Sequence, residues 1–241
     1  MIDIHTHILP AIDDGSKNTE TSVRMMEMMI EQKVDLIAAT PHYYCLDATP
    51  REHREIAEAA RDRFLEAWKE VHPENAELPE LRIGAEIYLA NSLDSVADPG
   101  CLKISGTDLM LFEMPFSGYH EWIPRLAYLV AGKAGGRPVF AHIDRYLDLY
   151  GRKVTDALEA LPGVAFQFNS DSFENRGALK YMYSLIKRGY PVFWASDCHG
   201  AHHRSPDLGT SLPDLRKKIE KKFSPSVYAA VEERQYRLMG K

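Results

Sequence analysis

His5 and His7 stand two residues apart in Asp3-Ile4-His5-Thr6-His7, within an aliphatic run that reads as a strand. Side chains two apart in a strand point to the same side, so both imidazoles can grip one metal ion. Alone, His-x-His is a weak signal. The same residue types recur, however, in Asp13-Asp14-Gly15-Ser16, at His42 in Thr40-Pro41-His42, Glu86 in Gly84-Ala85-Glu86 and Glu113 in Phe112-Glu113-Met114. His142 follows in Ala141-His142-Ile143-Asp144-Arg145, and Asp197 and His199 in Ala195-Ser196-Asp197-Cys198-His199. Each has a plainer reading: Asp13-Asp14-Gly15-Ser16 can cap the next helix, and Glu86 can make a structural salt bridge. Together they resist it. Buried carboxylates and imidazoles are costly unless they pair or bind cations, and few Lys or Arg residues stand nearby. Mixed His, Asp and Glu ligands without thiolate suit manganese, zinc or iron, and bridging carboxylates suit a hydrolytic centre of several ions.

Seven short β-branched or aliphatic runs would position these groups: 2–7, 34–40, 81–87, 108–114, 138–143, 164–169 and 191–196. Helical patterns lie between and after them, at 19–33, 51–71, 119–132, 154–161, 175–188, 207–222 and 225–238. The second carries Ile56, Ala60, Phe64, Trp68 and Val71 on one stripe, which is a core face. Such alternation predicts an α/β fold with a parallel sheet, closed into a barrel in preference to an open doubly wound sheet. Nearly every chemically competent residue then falls at the C-terminal end of a strand, where barrel enzymes carry their sites.

The 241 residues fit one such domain, 1–241. With 29 basic and 35 acidic residues the chain is net −6, which does not attract polyanions. Lys217, Lys218, Lys221 and Lys222 read as a solvated helix face, so no nucleic-acid role is expected. No run approaches the roughly 18 apolar residues of a membrane span. Three scattered cysteines, Cys45, Cys101 and Cys198, argue against a disulfide framework. A cytoplasmic protein is expected.

One motif competes. Cys198 to Arg204-Ser205 has the Cys-x5-Arg-Ser spacing of thiol-based tyrosine phosphatases. Such loops wrap phosphate in backbone N–H groups and need small residues in a positive surrounding. Here Asp197 abuts the cysteine, histidines fill the loop, and Cys198 alternates away from its neighbours. The thiolate mechanism is disfavoured.

In order, spacing and strand context these residues resemble the polymerase-and-histidinol-phosphatase superfamily. Within it, the chain is similar over nearly its whole length to the bacterial protein-tyrosine phosphatases of capsule and exopolysaccharide clusters. The resemblance implies a distorted (β/α)7 TIM-like barrel and three divalent ions, manganese foremost. It implies His5, His7, Glu86 and Asp197 around the first ion, Glu86, Glu113 and His142 around the second, and Asp14, His42 and His199 around the third. Arg145 and Arg204 would clamp phosphate, metal-activated water would attack phosphorus, and Asp197 or His199 would help the leaving phenolate. The implied partner is the Tyr-rich tail of a bacterial tyrosine kinase governing polysaccharide export. Three divalent ions carry six positive charges and the four carboxylates four negative ones, leaving two that a phosphate dianion matches.

Tyr43 and Tyr44 either line the substrate mouth or pack in the core, and His202 and His203 either contact substrate or face solvent. Two other classes compete. A histidinol-phosphate phosphatase would use the same metals, and a non-catalytic metal-binding module would lack ligands, yet all nine positions are competent. A metal-dependent amidohydrolase would need a bridging Lys that is absent here.

Overall fold

In the computed structural model, which describes residues 1–74 and 77–241, the aliphatic runs form strands and the amphipathic stretches form helices around them. The strands are β1 (Ile2–Thr6), β2 (Leu36–Ala39), β3 (His42–Tyr43), β4 (Glu80–Ile83), β5 (Glu86–Tyr88), β6 (Leu109–Glu113), β7 (Arg137–Phe140), β8 (Ala165–Asn169) and β9 (Val192–Ala195). They make two sheets, β1-β2-β4 and β3-β5-β6-β7-β8-β9, and every pairing is parallel. The expected parallel α/β architecture is present.

Seven expected strands become nine because two are interrupted. Pro41, with no N–H for a ladder, separates β2 from β3. Gly84 and Ala85 separate β4 from β5, and a Cβ on Gly84 would stand 2.8 Å from Ile104 Cγ1. Hydrogen bonds bridge both breaks: Gly84 N–H donates to Ala39 O at 2.8 Å and Glu86 N–H to Pro41 O at 3.0 Å. His42 and Glu86 thereby become cross-strand partners.

At the opposite margins, β1 meets the chain just beyond β9. Asp197 N–H donates to His5 O and His7 N–H to Cys198 O, both at 2.9 Å. The Asp3 carboxylate accepts from Ser196 N–H at 3.1 Å and Ser196 Oγ at 2.6 Å. Burial pushes Asp3 up to about 6 although these bonds pull it back.

The register of β1 against β2 slips by one residue between Asp3 and Thr6, a β-bulge. It has a purpose. Ile2 and Ile4 pack with Leu36, Leu111, Val139, Ala165 and Phe193 in one cluster drawn from both sheets. Plain alternation would send His5 to the other side with Asp3; the extra residue re-aims it.

The helices are α1 (Thr19–Glu31), α2 (Pro50–Val71), α3 (Trp122–Lys133), α4 (Asp144–Tyr150), α5 (Arg152–Glu159), α6 (Arg176–Lys187), α7 (Leu208–Lys222) and α8 (Pro225–Leu238). Asn18 caps α1 by accepting from Thr21 N–H at 2.8 Å, so Asp13 and Asp14 are free of that duty. Thr49 and Glu52 form a capping box at the head of α2. Helix α4 was not anticipated: β7 ends at Phe140, short of the expected 143, and the chain turns at once into it. Phe112, Phe140, Phe166 and Trp194 pack in the largest core cluster with Ile123, Met182 and Tyr228 of the helices, and Met25, Met26, Phe64 and Trp68 join α1 to α2. No helix among the described residues is long and apolar enough to cross a membrane.

Candidate metal centre

The strands end at a cavity of about 300 Å³ whose walls include Asp14, His42, Glu86, Glu113, His142, Asp197 and His199. His5 and His7 are buried against it. All nine expected ligand residues are thus brought together.

The Nε2 atoms of His5 and His7 are 3.2 Å apart. Each lies 3.2 Å from Glu86 Oε2 and 3.4 Å from Asp197 Oδ1. Four donors held about 2.0–2.2 Å from one tetrahedral ion stand about 3.3–3.6 Å from one another, so these spacings suit a cage. Glu86 turns its other oxygen, Oε1, to His142 Nε2 at 2.8 Å, and Glu113 Oε1 is 3.6 Å from the same nitrogen. Asp14 Oδ1 lies 3.3 Å from His42 Nε2 and 3.4 Å from His199 Nε2.

Two residues serve more than the grouping expected for them. His42 Nδ1 is 3.0 Å from Glu86 Oε2 and 3.9 Å from Glu113 Oε2, so this ring stands between two groups. His7 belongs both with His5, Glu86 and Asp197 and with Asp14, His42 and His199.

Electrostatics follow the geometry. Burial opposes charge on Glu86 and Asp197, yet the surrounding imidazoles, His5 foremost, hold both carboxyls well below their usual range. Conversely His5, His7 and His42 are pushed up despite burial, His5 chiefly by Glu86 and His7 by Asp13, Asp197 and Glu86. Burial and then the charge of Glu86 drive Glu113 up to about 7. Burial pushes His142 down and His199 down to about 4, so the draw for positive charge centres on Glu86 and Asp197, where a divalent cation could replace the protons of His5, His7 and His42. Buried His199 Nε2, 3.4 Å from Asp14 Oδ1, has no hydrogen-bond partner among the described residues, as expected where a donor awaits a cation. The residues present fit divalent metal ions.

Arg145 and Arg204 line the same cavity, each donating from Nη2 to Asp197 Oδ2, at 2.7 and 2.5 Å. Asn169 Nδ2 donates to that oxygen as well, at 2.9 Å. Asp197 is thus divided, Oδ1 towards the histidines and Oδ2 towards the arginines. His142, Asp197 and Arg204 have φ of 30°, 51° and 47°, a left-handed backbone that side-chain-bearing residues avoid, and such strain gathers at functional sites.

Cys198 lies on the other side. It is buried in an apolar cluster with Ile8, Leu9 and Met26, and burial pushes its thiol well above the usual range. That is no setting for a thiolate nucleophile. Tyr43 is likewise core, 1% exposed with its ring 5.2 Å from that of His53, whereas Tyr44 lines the cavity. His202 and His203 face solvent.

Residues given no role beforehand support the ligands. Asp13 Oδ2 is 2.7 Å from His7 Nδ1, and Gln167 Oε1 is 3.2 Å from His5 Nδ1 and 2.6 Å from His142 N. Asp13 adjoins Asp14 in the motif itself; nothing near Gln167 in sequence marks it.

A family model described as "Capsular polysaccharide synthesis, CpsB/CapC" matches residues 1–234. The chain is 29% identical over 228 residues to Tyrosine-protein phosphatase YwqE of Bacillus subtilis (strain 168), covering 91% of this chain and 85% of that protein. It is 27% identical over 241 residues to Tyrosine-protein phosphatase CpsB of Streptococcus pneumoniae, covering 95% of each. A solved structure from work describing YwqE and CpsB as "unique metal-dependent tyrosine phosphatases" superposes with a TM-score of 0.74 at 26% identity, covering 99% of this chain and 94% of that one. With the fold, the donor cluster and these matches in agreement, the chain belongs to the CpsB/CapC family of capsular polysaccharide synthesis.

Proposed function

We propose that this protein is a metal-dependent phosphomonoesterase that removes phosphate from phosphotyrosine in a protein substrate. The observation that carries the reading is the convergence of nine donor residues and two arginines on one cavity. Membership of a family whose relatives are named tyrosine phosphatases supports it.

The donor groups suit three divalent ions, manganese foremost. His5, His7, Glu86 and Asp197 would hold one, Glu86, Glu113 and His142 a second, and Asp14, His42 and His199 a third. When bound, such ions lower the pKa of water towards neutrality and act as Lewis acids on phosphoryl oxygens. The chain does the rest. Arg145 and Arg204 receive the phosphate, because a planar guanidinium fork meets two oxygens at once, and Asp197 Oδ2 presets both forks at the cavity wall. His199 or Asp197 would assist the departing phenolate, whose conjugate acid has a pKa of about 10 and needs little help. A phosphoenzyme is not needed, and Cys198 takes no part.

Residues 1–241 act as one catalytic domain. Its strand lines form a distorted seven-stranded barrel, a reading supported by the interior cluster shared between the sheets and by the β1 bonds to residues 197 and 198. The physiological partner is the phosphorylated tail of a bacterial tyrosine kinase regulating polysaccharide synthesis, met in the cytoplasm.

The test is hydrolysis of a phosphotyrosine peptide, with metal analysis, before and after chelation. Chelation should abolish turnover and manganese restore it; His5→Ala and His142→Ala should cut turnover by orders of magnitude in folded protein, and Cys198→Ser should keep most of it. Activity surviving in both histidine variants, or lost only in the cysteine variant, would sink the proposal. Preferred hydrolysis of histidinol phosphate would favour a small-molecule phosphatase.

A further inference from the structure

The mouth of the cavity has two unlike arcs. Tyr44, Tyr88 and Phe116 come from the ends of β3, β5 and β6, three consecutive strands of the larger sheet, and all line the cavity. Arg145 and Arg204 come from beyond β7 and β9. The Tyr44 and Tyr88 ring centroids are 5.5 Å apart, and the Phe116 ring lies nearly parallel to that of His142 at 6.3 Å and to that of Tyr146 at 5.2 Å. Tyr44 is 42% and Phe116 52% exposed. One exposed ring calls for no explanation, but two exposed rings and the half-buried Tyr88, all lining one otherwise ionic cavity, do.

We propose that Tyr44, Tyr88 and Phe116 form a slot for the aromatic ring of an aryl phosphate ester and determine specificity for it. The inference rests on the phosphatase reading above and adds to it. The ester would span the mouth, its phosphate between the guanidiniums and its ring against the aromatic arc, where offset or edge contacts favour a flat π-system over an alkyl chain. A serine or sugar phosphate offers the same dianion and leaves the arc uncovered.

The test uses manganese-loaded protein and calorimetric titration with two ligands that cannot be hydrolysed, benzylphosphonate and methylphosphonate. Wild type should bind the benzyl compound about tenfold more tightly or better, the scale of one or two aromatic contacts. Phe116→Ala and Tyr88→Ala should each shrink that ratio while methylphosphonate binding holds, and Phe116→Ala should raise KM for a phosphotyrosine peptide by more than it lowers kcat. A wild-type ratio near one, a ratio unchanged in both variants, or parallel weakening of both ligands would overturn the slot. Ring preference without hydrolysis of the peptide would instead defeat the phosphatase reading and leave the slot standing. Hydrolysis without ring preference would defeat the slot alone.

Discussion

Asp13 accepts from His7 Nδ1 at 2.7 Å, from Gly15 N–H at 3.0 Å and from His42 N–H at 3.2 Å. Against burial, the bond and charge of His7, then the Gly15 N–H and the charge of His42, hold its carboxyl at about 2. An ionised Asp13 holds a proton on His7 Nδ1, so Nε2 is the nitrogen that would give up its own proton to an ion held with Glu86 and Asp197. Asp13→Ala is therefore expected to weaken metal affinity by about 10–100-fold without unfolding the protein, measured by competitive metal titration. Unchanged affinity would remove Asp13 from the centre. The motif displayed Asp13 and Asp14 equally, and only the family resemblance gave a ligand role to Asp14 rather than Asp13. Which of two adjacent carboxylates faces the ions and which braces a histidine depends on the path of the loop.

That path is set by Gly15. A Cβ there would fall 2.3 Å from His7 Cβ and 2.4 Å from His7 O, while Ser16 N–H donates to the same carbonyl at 3.0 Å. The loop can lie on the end of β1 only because the side chain is missing. Gly15→Ala should lower stability by roughly 1–3 kcal/mol, read as a drop in denaturation midpoint, and loosen metal binding through the displaced His7. A variant with wild-type midpoint and affinity would show the contact to be slack. The elements were legible where patterns were strong: every expected strand position carries a strand, because aliphatic runs bounded by charge have few other stable fates. The bulge of β1 was not, since a one-residue register slip leaves no mark in composition. Helix α4 was missed because His142 turns the chain through a left-handed conformation that residue type does not announce.

Across the whole molecule, buried titratable groups couple stability to pH. His53 is buried beside Tyr43, its Nε2 has no hydrogen-bond partner, and burial, then Arg54, lowers it from 6.5 to about 4. The unfolded chain thus takes up the proton first as pH falls. The stability is fully present above about 6.5, and is lost as pH falls from there towards 4. Between pH 7.5 and 5 wild type should lose about 2 kcal/mol more than His53→Phe, measured by urea unfolding at each pH. Equal losses would mean that the ring is charged or solvated in the native state. A last consequence lies in the join between residues 3–7 and 196–198. Because His5 and Asp197 would have to meet there for the proposed centre to form, a ribosome has to emit the chain past residue 197 before any ester can be cut, and translation halted before that point should yield an inert product.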